Sequence, residues 1–160
     1  EPFQIAGIPF GREIIGCEQD LKALGPKDGE GSIIVVVATD APVLPWQLTK
    51  MCKRVPIGIG WLGGGMENCS GDIFLAFSTA NAQAFSYEKR TIELLSDERM
   101  DPLYLATAQA VEEAIVNAMV AAEDMYGRNQ NFVPALPHDQ VRRIIKKYQS
   151  YLHMAYPEQT

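Results

Sequence analysis

Histidine is scarce in this chain, with His138 and His153 the only two among 160 residues. Cysteine is nearly as scarce: Cys17, Cys52 and Cys69 lie far apart and form no CxxC pair. Together these shortages exclude the usual zinc spacings and any disulfide framework, so no metal and no cofactor is expected. Each thiol is expected to be free and buried or half-buried. The histidines fall late, one in a loop before a helix and one in a tail, and lend no support to a Ser-His-Asp triad. Positive charge is also in deficit. Against 20 acidic residues stand 14 Lys and Arg, giving a net charge of −6 and a pI near 4.9. Phosphate binding needs a basic face, so nucleic acid is not expected as the main partner. No apolar run approaches the ~18 residues that span a bilayer, and no signal-like pattern opens the sequence. The expectation is a soluble protein, cytoplasmic or periplasmic.

With 47% hydrophobic and 21% charged residues, the composition is that of an ordinary globular domain able to bury a core. Its most informative stretch runs from Gly29 to Asp40. Two glycines and Ser32 stand at the mouth of Ile33-Ile34-Val35-Val36-Val37, a β-branched run that fits a strand buried on both faces. Ser32 thus sits where permissive backbone becomes rigid. A positioned nucleophile has that setting, and so does an ordinary strand start.

Before this strand, residues 1–16 alternate apolar pieces with Gly7, Gly11 and Gly16, which predicts two short strands joined by a turn. Residues 17–31 lose the pattern, and Gly25 to Gly31 is turn chemistry, a segment that can be cut without harm to a core. After the strand, Pro45 suits the first turn of a helix continuing to about Arg54. Ile57 to Gly65 holds five glycines in nine residues and reads as irregular backbone. It lacks the GK[ST] of a phosphate loop. Ile73–Thr79 repeats the buried-strand pattern, residues 80–90 read as loop, and Thr91–Leu95 as a third strand. Asp101-Pro102 reads as N-cap and first helical residue, and Gly127 as the stop of a helix reaching Tyr126. Its apolar face is alanine-rich, including Ala106, Ala110, Ala114 and Ala118. Glu112 and Glu113 project in different directions, so a solvated pair is the simple reading. A last helix carries Val141, Ile144, Ile145, Tyr148 and Leu152 on one face and Arg142, Arg143, Lys146 and Lys147 on a solvated one. The tail from His153 is expected to be loose. Strand-rich stretches followed by a long helix predict layered α/β packing, without the clean alternation of a doubly wound sheet.

Four runs carry a resemblance: GSIIVVVATDAPVLPWQL at 31–48, SGDIFLAFSTANAQAF at 70–85, EEAIVNAM at 112–119 and VPALPHD at 133–139. In this order they resemble the β-peptidyl aminopeptidase (L-aminopeptidase/D-amidase-esterase) family of self-cleaving hydrolases. The resemblance implies a four-layer α/β/β/α sandwich of Ntn-hydrolase type, shared with the ornithine acetyltransferases. Those enzymes use threonine, and Ser32 points away from them. It implies a longer precursor that cuts itself at Gly31–Ser32. Residues 1–31 would then be the tail of the first subunit and 32–160 the second. It further implies homo-oligomers of cleaved pairs acting on short peptides, amides or esters, including β-amino acid peptides.

A serine hydroxyl is a weak nucleophile until a base takes its proton. The α-amine of a newly exposed Ser32, with an ordinary pKa near 8, could serve close to neutral pH. By resemblance, Ser70 and Asp72 complete the catalytic group: Ser70 relays or orients a hydrogen bond and Asp72 holds charge near the α-ammonium. Residues two apart on a strand share a face, which such a pair requires. Three departures from the family pattern stand out. Asp72 occupies a position where glutamate is frequent, Trp61-Leu62 stands between glycines where Arg-Thr is commoner, and Cys69 replaces a common glycine. The alternative reading is a non-catalytic ligand-binding or assembly domain that keeps the fold without processing.

Overall fold

A computed structural model describes residues 3–14, 31–65, 68, 70–84 and 86–155. The expectations for residues 15–30, including Cys17 and the turn-rich segment, and for Cys69 lie outside the described residues. The architecture is mixed α/β. Strand β1 (Ile34–Thr39) pairs in parallel with β2 (Ile73–Ser78), in the register Ile34 opposite Ile73 through Thr39 opposite Ser78. The crossover carries helices α2 (Pro45–Cys52) and α3 (Val55–Trp61). The long helix α4 (Asp101–Ala121) follows β2.

Strand alternation sorts the side chains cleanly. Ile33, Val35, Val37 and Phe74 pack on Val55, Ile59, Val111 and Ile115 of the helices. The opposite face is bare: Ile34 is 72% exposed, Ile73 62%, Val36 57% and Leu75 56%. Burial on both faces of β1 is therefore not what the described residues show; helices cover one face only. The described residues hold one other sheet, a two-stranded pairing of 125–126 with 132–133, and no four-layer sandwich is seen among them.

The glycine-rich stretch differs from expectation in an informative way. It is helical through Trp61, and only then turns, with Gly63 and Gly65 at φ of +91° and +81°. Within α3, Gly58 meets α4 so closely that a Cβ there would collide with the Ala108 carbonyl and lie 3.0 Å from Val111 Cβ. Helix α4 begins at Asp101, one residue before the expected Pro102, and Met100 rather than Asp101 occupies the cap position. It ends at Ala121 rather than Tyr126, because Ala122 is extended and Met125–Tyr126 (β3) pairs antiparallel with Phe132–Val133 (β4). Its buried residues are Thr107, Ala108 and Val111, so the alanine stripe at 106, 110, 114 and 118 faces solvent instead of the core.

Residues 91–95 form no strand. Asn81 holds this stretch by donating to the Glu93 carbonyl and accepting from the Glu93 N–H, at 3.1 and 3.0 Å. The fully buried Gln47 holds its far end, donating to the Leu95 carbonyl and Asp97 Oδ1 while accepting from the Leu44 N–H. Side-chain bonds from Asn81 and Gln47, with the Leu95 N–H donating to the Pro42 carbonyl at 2.7 Å, thus take the place of a ladder.

The first described residues form an isolated bridge (Ile5 with Ile8) and a short helix α1 (Phe10–Glu13), not two strands. They pack on the last two helices, α5 (His138–Lys147) and α6 (Gln149–Ala155), the latter continuing past His153, where a loose tail was expected. Ile8, Phe10 and Ile144 form the buried centre, with Val141, Tyr148 and Leu152 against it. Ile145, expected on this face, is 44% exposed.

Candidate active site

Ser32 stands two residues before β1, and its backbone partner across the extended register is Gly71, two residues before β2. The Ser32 Oγ accepts a hydrogen bond from the Gly71 N–H at 3.0 Å. Alternation continues outside the strand: Ile33 packs inward while Ser32 is exposed, on the side shared by Ile34 and Val36. The serine therefore opens onto the bare apolar face of the sheet.

Ser70 and Asp72 flank Gly71. The Ser70 hydroxyl donates to Asp72 Oδ1 at 2.6 Å, a short charge-assisted bond. The three residues of the sequence reading therefore meet at one end of the parallel pair. Ser32 is bonded to the residue between the other two rather than to either of them. Ser70 is half-buried and Asp72 exposed, so the carboxylate is open to solvent and to any partner group brought over it. Gly31, on the other side of Ser32, lies in open space, and a Cβ there would touch nothing.

Neither histidine bonds to this cluster. His138 starts α5 and donates from Nε2 to the Val120 carbonyl at 3.0 Å, covering one of the last carbonyls of α4. His153 lies in α6. Among the described residues, no group of three His, Cys, Asp or Glu side chains could hold a metal ion. Cys52 is free and half-buried, and burial pushes its thiol pKa up, the opposite of an activated nucleophile. Trp61, at the end of α3, is 38% exposed. The feature that sequence reasoning passed over is the Gly71 amide. A glycine between two polar residues is an ordinary turn signal, and only the strand register reveals what its N–H meets.

A serine, a second serine and a carboxylate thus gather at the ends of adjacent parallel strands of an α/β scaffold. Residues 1–133 match peptidase family S58, and the chain belongs to that family. It is similar to the β-peptidyl aminopeptidase BapA of Sphingosinicella microcystinivorans, 42% identical over 156 residues, covering 91% of this chain and 39% of that protein. The enzyme of the same name from Sphingosinicella xenopeptidilytica is 39% identical over 153 residues, covering 89% of this chain and 38% of that protein. Among solved structures, the L-aminopeptidase D-Ala-esterase/amidase of Ochrobactrum anthropi superposes with a TM-score of 0.74 at 43% identity, over 92% of this chain and 40% of its own. That protein is described as a prototype of serine aminopeptidases with a variant Ntn-hydrolase fold. The chain thus spans about two fifths of the length of these relatives. No helix among the described residues is long and apolar enough to cross a membrane.

Proposed function

We propose that this chain is part of a self-processing serine aminopeptidase, cut at Gly31–Ser32 into a first subunit ending at Gly31 and a second beginning at Ser32. The observation that carries the proposal is the meeting of Ser32, fixed by the Gly71 amide, with the hydrogen-bonded Ser70–Asp72 pair in a chain of family S58. After the cut, Ser32 Oγ attacks the carbonyl of an N-terminal residue and its proton passes to the Ser32 α-amine, whose ordinary pKa near 8 suits it to this task. The departing amine takes the proton, leaving an ester on Oγ. Water then hydrolyses the ester and returns a proton to the serine. Asp72, held by Ser70, stabilises the α-ammonium whenever it forms.

The bare face carrying Ile34, Val36, Ile73 and Leu75 is the surface on which the rest of the precursor sits. Burying it supplies the association energy and brings substrate-binding groups over Ser32. Substrates are short peptides, amides or esters, with β-amino acid peptides suggested by the relatives' names. Cleaved pairs associate as homo-oligomers.

Turnover of amino acid p-nitroanilides, both α and β, by the full-length protein tests the proposal. Ser32→Ala is expected to abolish it, and Ser70→Ala and Asp72→Asn to lower kcat by about 100-fold or more, the range of a lost proton-transfer or positioning group. Asp72→Glu keeps the carboxylate and is expected to retain measurable turnover. Unchanged turnover in Ser32→Ala would contradict the assignment.

A further inference from the structure

In the parallel ladder, every second residue of β2 donates to the residue forty positions earlier in β1. The Ile73 N–H donates to the Ile33 carbonyl at 3.0 Å, and the Thr79 N–H to the Thr39 carbonyl at 2.9 Å. The two bonds are three two-residue steps apart and bracket the strand. Extending the series one step before Ile73 pairs the Gly71 N–H with the Gly31 carbonyl. That bond is not made. The Gly71 N–H goes to Ser32 Oγ instead, and among the described residues the Gly31 carbonyl receives no hydrogen bond. The side chain of Ser32 has taken the place of the last ladder acceptor, and that acceptor is the carbonyl of the bond proposed to be cut.

We infer that the Gly71 N–H is a transferable donor, holding Ser32 Oγ in the uncut chain and passing to the Gly31 carbonyl oxygen as that oxygen becomes negative during self-cleavage. The inference rests on the cleavage proposed above. In the resting arrangement Oγ accepts from Gly71, so its own proton is left for transfer and its lone pair is aimed by a rigid backbone donor. Attack forms the Oγ–C bond to Gly31 and puts negative charge on the carbonyl oxygen. The Gly71 N–H then finds its strongest acceptor one ladder step away, where the sheet register already places its partner. The C–N bond to Ser32 breaks, the serine proton ends on the new amine, and water hydrolyses the ester, giving the Gly31 carboxyl and restoring the Ser32 hydroxyl. A donor already in place needs no reorganisation at the moment of reaction, which is the condition under which such donors contribute most.

Glycine itself is not required for this role by sterics. A Cβ at position 71 would lie 3.5 Å from Ser32 Oγ, an ordinary contact, and Gly71 does not have a positive φ. The amide proton is what matters. The test compares self-cleavage rates of full-length Gly71→Ala, which keeps the N–H, and Gly71→Pro, which removes it, with thermal transitions recorded for both. Gly71→Pro is expected to cut about 100-fold more slowly than Gly71→Ala, the effect of one lost oxyanion donor. Rates within threefold of each other in two folded variants would overturn the inference.

A second measurement stands apart from cleavage and from the tolerance of proline. In uncut Ser32→Ala, the Gly71 amide loses its side-chain acceptor and is expected to close onto the Gly31 carbonyl, staying protected from hydrogen exchange. Labelling with carbonyl-13C serine and 15N glycine picks out the Ser70–Gly71 bond within this sequence. Exchange at the rate of an unbonded amide would overturn the inference. A wild-type chain that never cuts would instead overturn the proposed function, while the exchange measurement still decides whether the donor transfers.

Discussion

Glu13 and Lys147, 134 residues apart, meet with Lys147 Nζ 2.8 Å from both carboxylate oxygens, and the Tyr148 hydroxyl donates to the same carboxylate. This contact ties α1 to the end of α5 beside the apolar cluster of Ile8, Phe10 and Ile144. The proposed cut at Gly31 therefore leaves the preceding segment held to the second subunit by packing and charge.

The pH dependence of that tie follows from its groups. Bonds from Lys147 and then Tyr148 hold the Glu13 pKa below its ordinary 4.5, so its contribution is present above 4.5 and lost as pH falls through the lowered value. The pKa values of Lys147 and Tyr148 are raised, mainly by the bond to Glu13, so their contribution is present below about 10 and lost as pH rises through the raised values. Hydrogen exchange at the Gly11 and Ile14 amides, which donate to the Phe3 and Phe10 carbonyls, reads the segment. Their protection is expected to be level from pH 5 to 9 and to fall at pH 3. Glu13→Gln is expected to remove the acid-side fall; a fall of equal size in that variant would show that other groups cause it.

Two glycines in one helix are expected to respond oppositely to alanine. At Gly60 an added Cβ meets nothing, so Gly60→Ala is expected to stabilise by about 0.5–1 kcal/mol through backbone entropy and helix propensity. At Gly58 the same methyl runs into the Ala108 carbonyl and forces α3 and α4 apart, so Gly58→Ala is expected to cost about 1–3 kcal/mol. Denaturant unfolding of the two variants measures both signs.

A charge on the bare sheet face distinguishes a covered surface from a free one. In the full-length protein, Val36→Lys is expected to destabilise by about 3–5 kcal/mol, because the docked first subunit leaves the ammonium buried and unpaired. Were the face solvated in the complete protein, the same substitution would stay within about 0.5 kcal/mol of wild type.

Much of this architecture was legible in the sequence, for local reasons. Ile34–Thr39, Ile73–Ser78 and Pro45–Cys52 form where a β-branched run, a second apolar run and a first-turn proline place them. The family resemblance, not the local pattern, singled out Ser70 and Asp72 beside Ser32; the three lie at one end of the sheet. What local pattern could not carry was decided by distant partners. Val55–Trp61 is helical despite its glycines because Gly58 lets α4 approach closely. Residues 91–95 looked like a strand, but Asn81, Gln47 and the Pro42 carbonyl take the backbone bonds of Glu93 and Leu95. Helix α4 stops five residues early because Met125–Tyr126 pairs with β4 instead of continuing the helix. The unbroken apolar run after Ser32 read as a strand buried on both faces, so neither the bare face onto which Ser32 opens nor the donor facing its hydroxyl was legible; both depend on packing and on the register of two strands 39 positions apart.

The most direct measurement is the denatured mass of the full-length protein beside its Ser32→Ala variant. The account predicts two fragments meeting at Gly31/Ser32 in the wild type and a single chain in the variant. A single uncut chain in both, after prolonged incubation, would contradict self-processing and leave a folded domain of family S58 without the N-terminal serine its proposed chemistry needs.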